Sequence, residues 1–421
     1  MRFRRLADWL DWQETLNPRH VDLGLERPGE VARRMGLAGF AAPVVSVAGT
    51  NGKGSVVAYL EAVGTAAGIA VAAYYSPWLL RYNESLRLGG AEVDDAMLID
   101  AFERVDRARG DVRLTCFEFR TLAAFDIIRR AEPALVALEV GLGGRLDAVN
   151  VVDADVAVIA AVDVDHTDWL GADRESIGRE KAGIMRRARP AVLGEDDPPR
   201  SVVDHAHALG APVHRYGREF AAEVEPDGTW TWRGGGVVRA GLPRPAMSGA
   251  CQYRNAASAL MAMQLLEPAR TVDDAALARG IAAARLPARQ QLLAGAVERI
   301  VDVAHNRQAA RALAATLGER SVPGRVLAVF GILADKDAAA VAGELGALVD
   351  RWFLAGLPGA RGRDAGDLAA LLARAYPDWR MEAYADVAAA YSSAMKCARD
   401  GDRIVAFGSF LTARAVLELE S

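Results

Sequence analysis

The sequence predicts an α/β protein with two doubly wound domains, each a parallel sheet covered by helices on both faces. Short β-branched runs alternate with longer Ala-, Leu- and Arg-rich stretches of helical length. Runs such as Val156–Val162 are apolar throughout, as expected for a strand buried on both faces. The alternation breaks near residue 286 and then restarts, which indicates a second domain.

The individual elements follow from the same patterns. Buried strands are expected at Pro43–Ala48, Val71–Tyr75, Ala134–Val140 and Val156–Val162, with helices at Val56–Ala67 and Phe117–Arg130. A Thr-Trp-Thr-Trp alternation and a run of glycines predict antiparallel hairpins within residues 212–245, followed by helices from Asn255 to Arg285. Later strands are expected at Arg299–Val303, Val326–Gly331, Arg351–Gly356 and Arg403–Gly408. We therefore predict an N-terminal domain of residues 1–286, a linker of residues 287–297 and a smaller C-terminal domain of residues 298–421.

Composition excludes several classes of protein. The chain of 421 residues is 52% hydrophobic and 25% charged, with a net charge of -5 and no Lys/Arg-rich tract, so we expect no nucleic-acid partner. Its three cysteines are scattered, which argues against a disulfide framework or a zinc site and fits the reducing cytoplasm. The apolar runs are too short to span a bilayer, and the charged N-terminus does not resemble a secretory signal, so we expect no membrane association.

The strongest motif is a phosphate-binding loop, Gly49-Thr50-Asn51-Gly52-Lys53-Gly54-Ser55, between a strand and a helix. Its glycines let backbone amides surround an anion, while the helix N-terminus and Lys53 add positive charge. The hydroxyl of Ser55 could ligate Mg²⁺. The spacing departs from the common P-loop, because Val47 occupies the position where that motif has its first glycine.

Polar side chains follow three of the predicted strands. Ser76 follows the second strand, Glu139 closes the third, and Asp165 and His166 follow the fourth. In an open parallel sheet, ligands bind at the carboxyl ends of the strands, so these side chains are expected to converge. Hydroxyl and carboxylate oxygens suit Mg²⁺. Read alone, Lys181 is a solvated helical lysine.

Taken together, these residues resemble the folylpolyglutamate synthase branch of the Mur ligase superfamily. Besides the phosphate loop, the matching stretches span essentially the whole chain: Asp22–Arg27, Ser76-Pro77, Arg81–Glu84, Thr115–Glu118, Glu139–Ala148, Asp165–Asp168, Glu180–Ile184 and Asp302–Asn306. The resemblance implies a P-loop ATPase-like N-terminal domain of the Mur ligase central type. It also implies a Rossmann-like C-terminal domain that takes part in glutamate ligation.

The resemblance also implies the site residues. ATP would be bound by Thr50, Asn51, Gly52, Lys53, Gly54 and Ser55, with Asn255, Arg289 and Asp302 closing the ATP site. One Mg²⁺ would be held by Ser76 and Glu139, and a second by His166 and Lys181, a lysine often carbamylated in this family. Lys53, His166 and Lys181 would be the catalytic residues. The pteroate-binding segments would be Asp22, Leu23, Gly24, Leu25, Thr115, Cys116, Phe117, Glu118, Leu146, Asp147 and Ala148.

The implied reaction joins L-glutamate to 7,8-dihydropteroate and to folylpolyglutamates or other reduced folates. The substrate carboxylate attacks the γ-phosphate of ATP, and the glutamate amine then attacks the resulting acyl phosphate. Because nothing in the sequence indicates a dimer interface, we expect the protein to be a monomer.

The chain departs from the family pattern at Trp78, where histidine is common, and at Ala288, which replaces the glycine of a Pro-Gly-Arg linker. Three alternatives stay open: a monofunctional folylpolyglutamate synthase, a cell-wall Mur ligase, and a nucleotide-binding regulator without ligase activity. The phosphate loop begins at residue 49, which leaves little room for the extra N-terminal domain of the cell-wall enzymes. A regulator would not need Glu139, His166 and Lys181 together.

Overall fold

The structure is a computed structural model that describes residues 2–17, 21–266 and 272–421. The chain forms two compact units. The first comprises Met1–Ala246 and Tyr253–Arg285, and the second comprises Met247–Gln252 and Leu286–Ser421. Both are α/β units built on mainly parallel sheets, so the predicted fold class is confirmed.

The first unit is organised around one large sheet. Its strands are β1 (Val44–Ala48), β2 (Val71–Tyr74), β3 (Leu86–Leu88), β4 (Ala91–Glu92), β5 (Leu135–Glu139), β6 (Val156–Ile159), β7 (Ala191–Leu193) and β8 (Val213–Arg215). They lie in the order β4-β3-β2-β5-β1-β6-β7-β8. The strands from β2 to β8 in this order run parallel, whereas β3 and β4 are added as an antiparallel edge. All five residues of both β1 and β5 are buried, as the continuous apolar runs predicted.

Helices accompany this sheet, and several of them begin at a polar side chain that caps the first turn. They are α1 (Leu6–Gln13), α2 (Glu26–Met35), α3 (Lys53–Ala66), α4 (Asp95–Arg109), α5 (Cys116–Ala131), α6 (Thr167–Leu170), α7 (Arg174–Ala182), α8 (Arg200–Leu209), α9 (Cys251–Leu266) and α10 (Asp274–Ala283). Asp94 caps α4 and Asp173 caps α7, each accepting a hydrogen bond from a backbone amide of the first turn. Short 3-10 helices form at Tyr82–Ser85 and Ala148–Val151. Trp9, Phe102 and Phe119 pack together in the core.

The hairpin region was only partly predicted correctly. Strands β9 (Phe220–Val224), β10 (Trp230–Gly234) and β11 (Val237–Leu242) form the expected antiparallel sheet, with Trp230 and Trp232 buried on the same side. Val213–Arg215, however, pairs parallel with β7 and extends the large sheet. A run of three residues carries too little periodicity to distinguish these two partners. The helices expected from Asn255 to Arg285 are α9 and α10, and residues 267–271 between them lie outside the described part of the chain.

The second unit is a smaller parallel sheet with helices. Its strands are β12 (Gln291–Leu293), β13 (Glu298–Val301), β14 (Val326–Phe330), β15 (Arg351–Ala355), β16 (Met381–Tyr384) and β17 (Arg403–Phe407), in the order β12-β13-β17-β14-β15-β16. Its helices are α11 (Arg307–Glu319), α12 (Ala338–Gly343), α13 (Ala365–Ala375), α14 (Val387–Cys397) and α15 (Phe410–Glu420).

The segment predicted as a linker, residues 287–297, contains a strand. Gln291–Leu293 form β12, which pairs antiparallel with β13 at the edge of the second sheet. Leu286 also belongs to the second unit. Backbone hydrogen bonds to β13 stabilise this strand, and the two consecutive strands form a hairpin joined by residues 294–297.

Candidate active site

The phosphate loop connects the end of β1 to the start of α3, as predicted. Thr50 ties it to the end of the neighbouring strand: its amide donates to the carbonyl of Ala161 at 2.6 Å, and its hydroxyl bonds to the backbone of Asp163. Gly52 has a left-handed backbone with φ +88°. A Cβ at Gly52 would lie 2.7 Å from Oδ1 of Asn255, so Asn255 packs directly against the loop. The structure thus brings together two of the residues predicted to bind ATP.

Lys53 is the first residue of α3, where the helix N-terminus adds positive charge. Its Nζ donates hydrogen bonds to two carbonyl oxygens of its own loop, those of Gly49 at 3.0 Å and Thr50 at 3.3 Å. Ser55 lies in the same turn of the helix and is buried. The loop therefore places an ammonium group, a hydroxyl group and a helix N-terminus within one turn of chain.

Ser76 and Glu139 are neighbours at the carboxyl ends of β2 and β5. The backbone amide of Ser76 donates to Oε2 of Glu139 at 3.0 Å, and the Glu139 side chain is almost fully buried. The hydroxyl of Ser76 and the carboxylate of Glu139 are hard oxygen donors of the kind that Mg²⁺ prefers.

His166 lies four residues beyond Val162, at the start of the short helix α6. Its backbone is left-handed with φ +53°, and its amide donates to Oδ1 of Asp165 at 2.8 Å. The Nε2 atom of its ring lies 4.0 Å from the other oxygen of Asp165. The ring is about one-third exposed, with a side-chain exposure of 37%, so it remains accessible to a ligand.

Lys181 contradicts the interpretation of a solvated lysine, because it is only 3% exposed in the last turn of α7. Burial, followed by repulsion from Lys53, lowers the pKa of Lys181 to about 7, although Asp165 and Asp147 oppose this shift. The lysine is therefore close enough to the phosphate loop and to both aspartates to interact with them electrostatically.

The glycine-rich stretch 141–145 packs against the end of α7. A Cβ at Gly144 would lie 2.8 Å from the carbonyl oxygen of Glu180 and 2.9 Å from that of Lys181. The amide of Arg145 donates to the same Glu180 carbonyl at 2.8 Å. Only a residue without a side chain allows this approach, which fixes the position of Lys181 relative to the stretch that ends at Asp147.

Asp147 is buried and accepts hydrogen bonds from the amides of Leu142 at 2.8 Å and Val149 at 2.9 Å. Burial raises the pKa of Asp147 to about 6, while these amides and Lys53 act in the opposite direction. Ala148, beside it, opens a 3-10 helix.

The three segments predicted to bind pteroate lie together. Arg27 bridges two of them, because its guanidinium pairs with Asp22 at 2.9 Å and with Glu118 at 3.0 Å. The amide of Gly24 donates to the carbonyl of Leu146 at 3.2 Å, which joins the first segment to the third. Leu23, Leu25 and Phe117 are half-buried around this contact.

Thr115 and Glu118 also have a structural role. They form a reciprocal capping box at the start of α5, in which each side chain accepts from the backbone amide of the other residue. Cys116 donates to Glu14, and burial raises the pKa of its thiol to about 12, so it is not a reactive nucleophile.

Arg289 and Asp302 lie together within the second unit. Both oxygens of Asp302 accept backbone hydrogen bonds, from Gln290 at 2.7 Å and from Ala304 at 2.6 Å. Burial raises the pKa of Asp302, and the nearby Arg289 opposes that shift. Ala288, the residue that replaces the family glycine, has a left-handed φ of +52° and is fully buried. Trp78, the other departure, lies edge-on to Tyr82 at 6.4 Å.

Three residues that connect parts of the candidate site were not among the predicted site residues. Arg27 connects the predicted pteroate segments, and Arg174 and Glu195 hold the chain just before His166. Glu195 could have been found, because it follows strand β7 as Glu139 closes β5. Arg27 ends the matching stretch Asp22–Arg27, whereas Arg174 carries no such signal among the many arginines of the chain.

Within residues 2–17, 21–266 and 272–421, no cluster of three or more His, Cys, Asp or Glu side chains could hold a metal ion by itself. This agrees with the chemistry of Mg²⁺, which usually keeps several waters and is held by one or two protein oxygens together with substrate phosphates. The same part of the chain contains no helix long and apolar enough to cross a membrane.

A phosphate loop at the carboxyl edge of a parallel sheet, with buried oxygen donors beside it, defines a nucleotide-dependent α/β enzyme. Residues 284–410 match the family described as Mur ligase, glutamate ligase domain. Over 414 residues the chain is 42% identical to the dihydrofolate synthase/folylpolyglutamate synthase of Escherichia coli K12, which covers 98% of this chain and 95% of that relative. The protein of the same name from Haemophilus influenzae is 36% identical over 425 residues, covering 97% and 95%.

Solved structures agree with these sequence matches. E. coli FolC in complex with DHPP and ADP superposes with a TM-score of 0.94 at 42% identity, covering 99% of this chain and 98% of that one. A bifunctional folylpolyglutamate synthase/dihydrofolate synthase with Mn, AMPPNP and L-glutamate bound gives a TM-score of 0.91 at 42% identity, with the same coverage. The chain therefore belongs to the dihydrofolate synthase/folylpolyglutamate synthase family of ATP-dependent Mur ligases.

Proposed function

We propose that this enzyme joins L-glutamate to 7,8-dihydropteroate, forming dihydrofolate, and to folyl(poly)glutamates, at the expense of ATP. The observation that carries the proposal is the arrangement around Lys53. A phosphate-binding lysine, a buried second lysine and the buried Asp147 interact electrostatically within one site. Such a site suits transfer of a phosphoryl group to a carboxylate, because both reactants are anionic and need cationic neighbours.

The reaction has two steps. A carboxylate oxygen of the pteroate or folate attacks the γ-phosphorus of ATP, ADP leaves, and an acyl phosphate forms. The amine of glutamate, after losing a proton, attacks the acyl carbon, and the tetrahedral intermediate releases inorganic phosphate to leave an amide. Lys53 and the amides of the phosphate loop offset the charge of the transferring phosphoryl group, and the protein contributes mainly by positioning the reactants.

We assign two divalent-cation sites, taken to bind Mg²⁺. Ser76 and Glu139 would hold one ion. Two observations support this assignment: the two residues are in direct contact, and both side chains offer oxygen donors. His166 and Lys181 would hold the other. The ions would supply electrostatic stabilisation of phosphate oxygens.

A charged lysine cannot ligate a cation, so Lys181 would act as its carbamate. Its burial and its proximity to Lys53 support this assignment, because a buried amine beside another cation is readily deprotonated and can then react with CO₂. Intact-mass analysis under native conditions in bicarbonate buffer should show an added CO₂, and Lys181→Ala should not show it. A Lys181→Ala variant whose activity is restored by short carboxylic acids would support the ligand role.

The pteroate would lie against the segments joined by Arg27, namely Asp22–Leu25, Thr115–Glu118 and Leu146–Ala148. Their contacts support this placement, since three stretches far apart in the sequence form one surface next to Asp147. Asn255 would contact ATP from beside Gly52, and Arg289 and Asp302 are also proposed to bind ATP. We further propose that the enzyme works as a cytoplasmic monomer, which light scattering at several protein concentrations would check.

The test is phosphate release from ATP in the presence of glutamate, comparing 7,8-dihydropteroate, tetrahydrofolate and no pterin. Release with both acceptors is expected. Release with tetrahydrofolate alone would leave a monofunctional folylpolyglutamate synthase, whereas no release with either acceptor, despite ATP binding, would overturn the proposal.

A further inference from the structure

Two side chains bind the backbone of Val162, four residues before His166. The amide of Val162 donates to Oε1 of Glu195 at 3.0 Å, and the carbonyl of Val162 accepts from Nε of Arg174 at 2.9 Å. The two side chains also pair with each other, since Nη2 of Arg174 lies 3.2 Å from Oε2 of Glu195. Val162 lies beyond the end of β6, so side chains here supply the bonds that a neighbouring strand supplies within the sheet.

These contacts connect three parts of the candidate active site. Residues 161 and 163 on either side of Val162 are bonded to Thr50 of the phosphate loop. His166 follows four residues later. Arg174 is the first residue of α7, and Lys181 is in the last turn of the same helix. A helix rises about 1.5 Å per residue, so the seven steps from Arg174 to Lys181 form a spacer of about 10 Å.

Glu195 and Arg174 are both held by further contacts in the structure. Glu195 is only 7% exposed and follows β7, whose next residue Gly194 packs against the carbonyl oxygen of Ala160. Arg174 is partly exposed, with a side-chain exposure of 39%, and is also held by the carbonyl of Asp197. Arg254, the neighbour of Asn255, also attracts the Glu195 carboxylate.

We propose that Glu195 and Arg174 are a positioning pair that sets His166 and Lys181 as divalent-cation ligands relative to the phosphate loop. The inference rests on the proposed function, because it needs these two residues to be cation ligands. Neither member of the pair would touch the cation or the substrate. They would act by fixing the start of α7 and the end of strand β7 to the backbone of Val162, where the His166 segment begins.

The first variant is Glu195→Gln, which keeps an acceptor for the Val162 amide and removes the charge that holds Arg174. The direct measurement is Mn²⁺ binding, followed by the electron paramagnetic resonance signal of free Mn²⁺, in constant bicarbonate. Substituting residues that orient metal ligands typically weakens metal binding by about 10–100-fold, and a loss in that range is expected here. ADP binding without metal should change less than about twofold, since the substitution leaves the loop amides in place.

Asp126→Asn is the matched control. Asp126 is a buried acid of the same unit, and Arg104 pairs with it at 2.7 Å, but it lies within α5 rather than at a strand end. Its loss should lower stability without weakening Mn²⁺ binding. Arg174→Lys is a second test of the pair that keeps the charge, removes the Nε donor to Val162 and is tolerated by a partly exposed site.

Wild-type Mn²⁺ affinity in both Glu195→Gln and Arg174→Lys would overturn the inference. An equal loss in Asp126→Asn would also overturn it, because general destabilisation would then explain the effect. A wild-type protein that binds Mn²⁺ yet releases no phosphate with any acceptor would defeat the proposed function alone, and the Mn²⁺ comparison would still decide the role of the pair.

Discussion

Replacement of Gly52 by alanine tests the geometry of the phosphate loop most directly. A left-handed backbone costs a residue with a Cβ about 1–2 kcal/mol. The new Cβ would lie 2.7 Å from Oδ1 of Asn255 and 3.4 Å from the Cβ of Ala160, and overpacking adds about 1–3 kcal/mol. The smaller conformational freedom of alanine in the unfolded chain returns about 0.4–1 kcal/mol. The strain in the folded state is therefore about 2–5 kcal/mol, and the net loss of stability is about 1–4.5 kcal/mol.

This strain must appear in one of two measurable quantities. If the loop keeps its geometry, the free energy of unfolding in urea falls by the whole amount. If the loop shifts to relieve the contact, ADP must restore it, and a folded-state strain of about 2–5 kcal/mol weakens ADP binding roughly 30- to 5,000-fold. Isothermal calorimetry measures the second quantity. Gly68→Ala is the matched control, because Gly68 has a φ of +74° with no heavy atom within 4 Å of the added Cβ. It should lose about 1 kcal/mol of stability and bind ADP normally. Unchanged stability and unchanged ADP affinity in Gly52→Ala would refute this account of the loop.

Four further outcomes are expected. Lys53→Ala should abolish phosphate release. It should change the free energy of unfolding by less than about 1 kcal/mol, because water can also satisfy the two carbonyls that lose a hydrogen bond. Near-normal turnover would exclude the phosphate role of Lys53. Arg27→Met should raise the KM for dihydropteroate about tenfold, since two charge-assisted contacts are lost, whereas Arg33→Met, at an exposed position of the same helix, should not. Asp302→Asn should lower the free energy of unfolding by about 1–3 kcal/mol, because one of the two backbone amides that Asp302 accepts from would face an NH₂ group. It should also raise the KM for ATP, and an unchanged KM would show that Asp302 does not contact the nucleotide. Burial raises the pKa of Glu195 from 4.5 to about 7, so its contribution to stability is present below pH 4.5 and is lost as the pH rises through 7. Relative to the wild type, the free energy of unfolding of Glu195→Gln in urea should therefore rise by up to about 3 kcal/mol between pH 5 and pH 8. Parallel pH profiles of the two proteins would contradict this.

The sequence was sufficient where a signal was local. Apolar runs identified strands such as β1 and β5, and the glycine and lysine spacing identified the phosphate loop at the correct strand end. Three residues were too few to reveal β8 or β12, because a run of three residues shows no clear periodicity and each strand is stabilised by hydrogen bonds to a neighbouring strand. The boundary of the hairpin region was wrong for this reason.

Side chains that act through tertiary contacts were the other limit. Lys181 was predicted to be solvated, but it is buried, because Gly144 allows the backbone to pack against the helix that carries Lys181. Gly144 and Lys181 are 37 positions apart in the sequence. Arg27 and Glu118 are separated by 91 positions, and Arg174 and Glu195 by 21. A single sequence gives no measure of such proximity, so the residues that orient the site stayed hidden while the residues of the motifs did not.

The hydrogen bonds of Lys53 have a consequence for how nucleotide enters. Because its ammonium group is held by the carbonyls of Gly49 and Thr50, the loop carries an internal substitute for the phosphate oxygens. Binding is then an exchange of partners on an already ordered loop rather than the folding of a loose one. Each time ADP is replaced with ATP, the incoming phosphate would therefore have to displace these two carbonyls from the ammonium group of Lys53.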